Sequence, residues 1–109
     1  MMARYLRVTM PNGLKFDVPA ELIARNRAAY YAKADTGIVS GPEYDKEFAA
    51  EYEYTLNDDF ELIDWAANNM NWDEVEHNAR LVWPDPQVVD YQEGWVNGEK
   101  EIVELERID

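Results

Sequence analysis

Hydrophobic and polar residues change period along this chain, and each change marks an element. Tyr5-Leu6-Arg7-Val8-Thr9 is built of strand-type residues, and Leu14-Lys15-Phe16-Asp17-Val18 alternates apolar and polar with period two. Met10-Pro11-Asn12-Gly13 lies between them, and Asn-Gly supplies the positive φ values that a tight hairpin turn needs. The pattern predicts an N-terminal β-hairpin.

Pro19 then stands where a first-turn proline costs nothing, because its missing N–H would have no partner there. Ala20 to Ala34 reads as a helix, with Leu22, Ile23, Ala29 and Tyr30 as its buried stripe and Arg25, Arg27 and Lys33 on its wet side. Asp35-Thr36-Gly37 ends it. A second helix is expected from Pro42 to Tyr54, with Tyr44, Phe48 and Tyr52 along one face and Glu43, Glu47 and Glu51 along a neighbouring ridge. Asn57 is the expected N-cap of a third, with Asp58 and Asp59 in the first turn, where the helix dipole favours anions. Its stripe is Leu56, Phe60, Ile63, Ala67 and Met70. Asn71, with Glu74 three residues on, opens a fourth in the manner of a capping box. Trp72, Val75, Ala79 and Val82 carry its period to Trp83-Pro84.

Pro84-Asp85-Pro86 is a rigid break. Gln87 to Val96 is strand-like, Asn97-Gly98 is a second turn signal, and Glu99 to Leu105 can return antiparallel. Ile102, Leu105 and Ile108 also fit a helix, so residues 99–108 read either way. The expected architecture is a single α+β domain over residues 1–109. Two β-hairpins, N- and C-terminal, form a small antiparallel sheet with three to four helices between them. Its expected core includes Leu22, Phe48, Phe60, Ile63, Trp72, Val75 and Val82.

Composition supports a folded domain: 47% of the 109 residues are apolar and 13% aromatic, which argues against disorder at this charge. Without cysteine there is no disulfide, thiolate metal site or thiol nucleophile. Met1–Met10 is too polar for a signal peptide, and no apolar run approaches the ~18 residues of a membrane span. A cytoplasmic protein is expected.

Charge changes the picture most. Residues 1–34 carry six basic and two acidic side chains, whereas residues 35–109 carry four basic and twenty-one acidic ones, for a net of −13 overall. Such a surface repels nucleic acid and anionic membranes. The expected partner is therefore a basic protein surface, with no direct nucleic acid and no membrane. The basic first third either forms a separate positive surface or pairs with acids of the same chain, and the number of nearby acids favours pairing.

Catalytic chemistry finds little footing. Ser40 is the only serine and His77 the only histidine, with no nucleophile elbow around Ser40 and no glycine-rich phosphate cradle. Asp73, Glu76 and His77 could be drawn as a metal site, but a second histidine is missing, and an exposed histidine is the simpler reading. Carboxylate pairs among Asp58, Asp59, Glu61 and Asp64 are expected anyway in so acidic a chain. No catalytic residue, metal site or cofactor is assigned.

The Glu43/Glu47/Glu51 ridge stands out, because like charges at i,i+4 oppose helix formation by roughly 0.2–0.5 kcal/mol per pair. Four helical residues advance about 6 Å, so these carboxylates form a regular line. With Asp58, Asp59 and Glu61 nearby in sequence, the line could imitate a nucleic-acid backbone or dock on a basic groove; the plain alternative is a solubilising face. Trp65, off the Phe60/Ile63/Ala67/Met70 stripe and beside Asp64, is the expected exposed aromatic anchor.

Met10-Pro11-Asn12-Gly13, Val18-Pro19-Ala20-Glu21-Leu22-Ile23-Ala24-Arg25, Trp65-Ala66-Ala67-Asn68-Asn69-Met70-Asn71-Trp72 and Glu93-Gly94-Trp95-Val96-Asn97-Gly98 together resemble the small acidic proteins of tailed bacteriophages. The resemblance implies a phage or prophage origin, hence the bacterial host cytoplasm, and carries no catalytic residue. It also implies a role in blocking a host nucleic-acid-binding protein, in line with the charge. The first expectation is a non-enzymatic interaction protein, monomeric or weakly homo-oligomeric, that binds a basic surface on a host or phage nucleic-acid-binding protein. The second is a phage structural or assembly component that self-associates, and the third is a small enzyme.

Overall fold

A computed structural model describes residues 2–11, 13–82 and 91–106, with the side chains of Met2 and Glu106 left aside. The fold is α+β: helices pack on a four-stranded antiparallel sheet whose strands come from both ends of the chain. β1 (Met2–Thr9) and β2 (Lys15–Pro19) form the expected hairpin, with Leu6 opposite Val18 and Val8 opposite Phe16. Gly13, at φ 86°, supplies the left-handed residue of the turn, and the Met10 N–H closes it on the Leu14 carbonyl at 2.7 Å. Asn12 lies outside the described residues.

Helix α1 (Ala20–Thr36) starts directly after Pro19, and α2 (Pro42–Leu56) starts at Pro42. The buried face of α1 is Ala20, Ile23, Ala24, Arg27, Ala28 and Ala32. This corrects the expected stripe: Tyr30 is exposed and Arg27 is buried. Small side chains at four-residue steps let α1 approach its neighbours closely, and packing selected the alanines over the larger residues beside them. Leu22 is half-buried against the core.

α3 (Asp59–Asn69) is capped by Asp58, whose carboxylate accepts from the Glu61 N–H at 3.1 Å, one residue later than the expected Asn57 cap. Its buried residues are Leu62, Trp65 and Ala66, so the expected stripe is rotated. Phe60 is 71% exposed and Ile63 only half-buried. The helix is apolar at 60, 62, 63, 65, 66 and 67, too many positions for periodicity alone to choose a face.

Glu74 accepts from the Asn71 N–H at 3.0 Å, as the capping box predicts. The fourth helix nevertheless stops after one turn: α4 spans Trp72–Val75, a 3-10 turn covers Glu76–Asn78, and β3 (Arg80–Leu81) joins the sheet beside β2. Trp72 and Val75 are buried as expected, but Val82 is 39% exposed, just past a strand instead of inside a helix. The expected break at Pro84-Asp85-Pro86, Trp83, the segment 87–90 and Ile108 lie outside the described residues.

The C-terminal hairpin requires correction. Residues Tyr91–Asn97 form α5, and the following strand β4 (Lys100–Glu106) pairs with β1, in the sheet order β3-β2-β1-β4. Trp95 is fully buried and donates its indole N–H to the carbonyls of Ala66 (3.0 Å) and Met70 (3.2 Å). Both carbonyls lie at the C-terminal end of α3, where Met70 is the C-cap, so one buried indole caps a helix end. Gly98 donates to the Gly94 carbonyl at 2.7 Å, which makes Asn97-Gly98 a helix end and not a hairpin turn. A Cβ at Gly98 would collide with the Thr9 carbonyl, so this close approach also demands glycine. Residues 100–106 are strand, which resolves the open reading of that stretch.

One sheet face carries Leu6, Val8, Phe16, Val18 and Ile102 into the core with Leu62, Ala66, Trp72, Val75 and Trp95. Phe16 meets the rings of Trp72 and Tyr91 edge-on, at 5.2 and 5.7 Å between centroids. α2 reaches this core only through its C-terminal half, where Tyr52 and Leu56 pack against it. It packs along α1 and meets α3 at its C-terminal end, so α1 and α2 form a helical arm in a molecule 46 Å long and 22 Å thick.

Candidate interaction surface

The aromatic face of α2 points inward along the arm: Tyr44, Phe48 and Tyr52 are half-buried, with ring centroids 6.0 and 6.2 Å apart in succession. That phase turns the acidic ridge outward, but its members differ. Glu43 is exposed and Glu47 half-exposed, with Asp45 and Lys46 exposed beside them. Glu51 has a structural partner: its carboxylate accepts from Arg27 Nη1 at 2.8 Å.

Arg27 organises the junction of α1, α2 and α3. Its Nη1 also donates to the Thr55 hydroxyl at 2.9 Å, its Nη2 lies 3.6 Å from Glu61, and its guanidinium stacks over Tyr31 (4.6 Å) and Tyr54 (5.2 Å). Thr55 is fully buried, and its hydroxyl donates in turn to the Glu51 carbonyl at 2.7 Å. Glu61 reaches the Tyr54 hydroxyl at 3.5 Å, and its charge, with burial and Asp58 adding to it, pushes the Tyr54 phenol above its ordinary range.

Of the seven residues expected to face a partner, five have other work. Glu51 and Glu61 hold Arg27, Asp58 caps α3, and Asp59 forms an ion pair with Arg4. Arg4 also donates to the Leu56 carbonyl at the end of α2. Trp65, the expected exposed anchor, is 8% exposed: its indole N–H donates to Asn26 at 2.8 Å, and its ring packs against Tyr30 and Tyr31. Glu43 and Glu47 remain at the surface.

The basic first third is likewise drawn inward. Arg4, Arg7 and Arg27 all pair with acids of the same chain, as the excess of acids suggests, while Arg25 and Lys33 are exposed. Arg7 makes a two-pronged contact with the fully buried Asp17 (2.8 and 3.0 Å), and this bond raises the Arg7 pKa further.

At the far end of the arm, sequence reasoning missed two features. One is a set of carboxylates from two helices: ligand oxygens of Asp35, Glu47 and Glu51 lie within 4.8 Å of one another. A hard cation takes oxygen ligands of this type, but Glu51 already faces the Arg27 cation. Asp35 was missed because only the antiparallel packing of α1 on α2 brings it to the ridge. Asp73, Glu76 and His77 are all exposed, and the helix ends before His77, so the expected i,i+4 geometry of Asp73 and His77 does not form.

The second feature is the tip itself, where Ile38 and Val39 are 41% and 67% exposed. Its sequence signal was an apolar pair bracketed by Gly37 and Gly41. Among the described residues, no helix is long and apolar enough to cross a membrane. Compared with protein-family models, curated proteins and solved structures, the chain matches none.

Proposed function

We propose that the protein is a non-enzymatic interaction protein whose helical arm docks onto a basic surface of a partner protein. The observation that carries this reading is the outward face of α2. Glu43 and Glu47 sit there with Lys46 as the accompanying base, in the N-terminal half of the helix, away from the Tyr52 and Leu56 contacts with the core. Asp35 of α1 adds its carboxylate to Glu47. Clustering like charges this closely raises the energy of the isolated arm, and a basic partner would relieve it. The acidity of this face suits a nucleic-acid-binding protein, whose own binding surface is basic, as the partner.

Affinity capture on the full chain at low and high salt tests the reading. A partner should be retained at low salt and released at high salt, since screening shortens to about 8 Å at physiological ionic strength. With that partner purified, Glu43→Lys plus Glu47→Lys should slow association more than it speeds dissociation. An unchanged association rate would reduce the face to a solubilising one. Salt-dependent oligomers of the chain alone would favour a self-assembling component instead.

A further inference from the structure

The arm ends in an apolar pair that the fold holds out into solvent. Ile38 and Val39 occupy the turn between α1 and α2, and both ends of that turn are fixed. Gly37 terminates α1 in the left-handed conformation at φ 73°, with its N–H on the Lys33 carbonyl at 2.8 Å. The Thr36 hydroxyl donates to the Ala32 carbonyl at 2.6 Å and accepts from the Ile38 N–H at 3.3 Å. Gly41, at φ 107° and ψ 173°, takes a conformation open essentially only to glycine, and its carbonyl accepts from Asp45 to start α2. A turn so constrained pays little ordering entropy on binding.

We propose that Ile38 and Val39 are the apolar anchor of the docking surface, inserting into an apolar pocket with a basic rim on the partner protein. The inference rests on the reading of the arm as the docking element and adds the contact that gives the complex its lifetime. Charge complementarity identifies the occupant. Asp35, Glu43 and Glu47 gather around Lys46 at the ends of the two helices that this turn joins, so a net acidic collar adjoins the apolar point. Specific interfaces pair a desolvated apolar centre with a polar rim in this way. A second copy of the chain is a poor host. Its own apolar depression, about 320 Å³ beside Met10, Pro11 and Gly94, is lined also by Glu93 and Glu99, which would repel the collar. An anionic membrane would repel it too.

The probe is the purified partner from the capture experiment, used with the full chain. Ile38→Ser plus Val39→Ser should weaken its affinity by about tenfold or more per side chain, mainly through faster dissociation. The thermal midpoint should stay put, because both side chains are exposed. Glu43→Lys plus Glu47→Lys should act on association instead. Tip variants that bind as tightly as wild type, beside a charge reversal that still slows association, would overturn the anchor and leave the docking reading standing. If neither pair alters binding, or nothing is captured, both readings fall. Loss of a homodimer in the serine variants would make a second copy the occupant and also overturn the proposal.

Discussion

Arg27 Nη1 and Glu51 Oε2 lie 2.8 Å apart, joining the middle of α1 to the C-terminal half of α2. This contact divides the acidic ridge in two. Glu51 becomes part of the scaffold, and Glu43 and Glu47, nearer the tip, are left to the surface. The guanidinium fork also reaches Thr55 and Glu61, so one side chain ties three helices together.

Arg27→Leu should therefore destabilise the fold. It keeps an apolar stem under Tyr31 and Tyr54 but removes the cation facing Glu51 and Glu61 and the donor to the Thr55 hydroxyl. Hydrogen bonds to charged groups contribute about 1.5–3 kcal/mol, and both glutamates retain roughly a quarter of their exposure, so water recovers part of the loss. A loss of about 2–3 kcal/mol in urea unfolding is expected. Arg27→Lys should recover only part of it, since an ammonium lacks the planar fork. A wild-type unfolding midpoint in the leucine variant would refute the structural role.

Two substitutions on α3 separate the observed face from the periodic one. Leu62 is fully buried and Phe60 is 71% exposed. Leu62→Ala should cost about 2–5 kcal/mol, whereas Phe60→Ala should stay within about 0.5 kcal/mol of wild type. Equal midpoint shifts in thermal unfolding would return Phe60 to the core.

The contrast shows where the sequence was legible. Proline and glycine punctuation located the end of β1 and the starts of β2, α1 and α2 to within one residue, because those side chains restrict the backbone whatever surrounds them. Which face of a helix is buried depends on tertiary partners, and α3 is apolar on too many sides to reveal them. Gln87 to Val96 failed for a related reason. Trp95 suits a strand locally, but its indole is needed at the carbonyl end of α3, and only α5 delivers it there. At the candidate surface, sequence located the ridge. It could not show that Arg27 turns inward to hold Glu51 and Glu61, nor that Trp65 donates to Asn26, thirty-nine residues away.

Tyr54 offers a titration that reports on the same junction. Glu61, burial and Asp58 all disfavour its phenolate, so the folded chain holds this proton above the ordinary value near 10. The unfolded chain releases it first as pH rises, so the contribution of Tyr54 to stability falls above about pH 10. The phenolate absorbance difference between wild type and Tyr54→Phe should show the raised midpoint, and Glu61→Gln should lower it. A midpoint unmoved by Glu61→Gln would remove Glu61 as the main cause.

The Arg7–Asp17 pair tests how the open sheet face tolerates a buried charge. Asp17 is completely buried in β2, directly across from Arg7 in β1, and Arg80 approaches its Oδ2, which Arg7 Nη2 also holds, at 3.8 Å. Arg7→Met removes the two-pronged partner and leaves the carboxylate with Arg80 alone. Breaking a buried pair typically costs about 3–5 kcal/mol. Arg7 is 22% exposed and Arg80 remains nearby, which places the expected loss at the lower end of that range. Arg7→Met plus Asp17→Leu should restore much of it, because exchanging both charges for apolar groups removes the desolvation penalty along with the attraction. A double variant at least as unstable as Arg7→Met would mean that Asp17 is held mainly by Arg80 and the neighbouring backbone, and that the contact with Arg7 adds little.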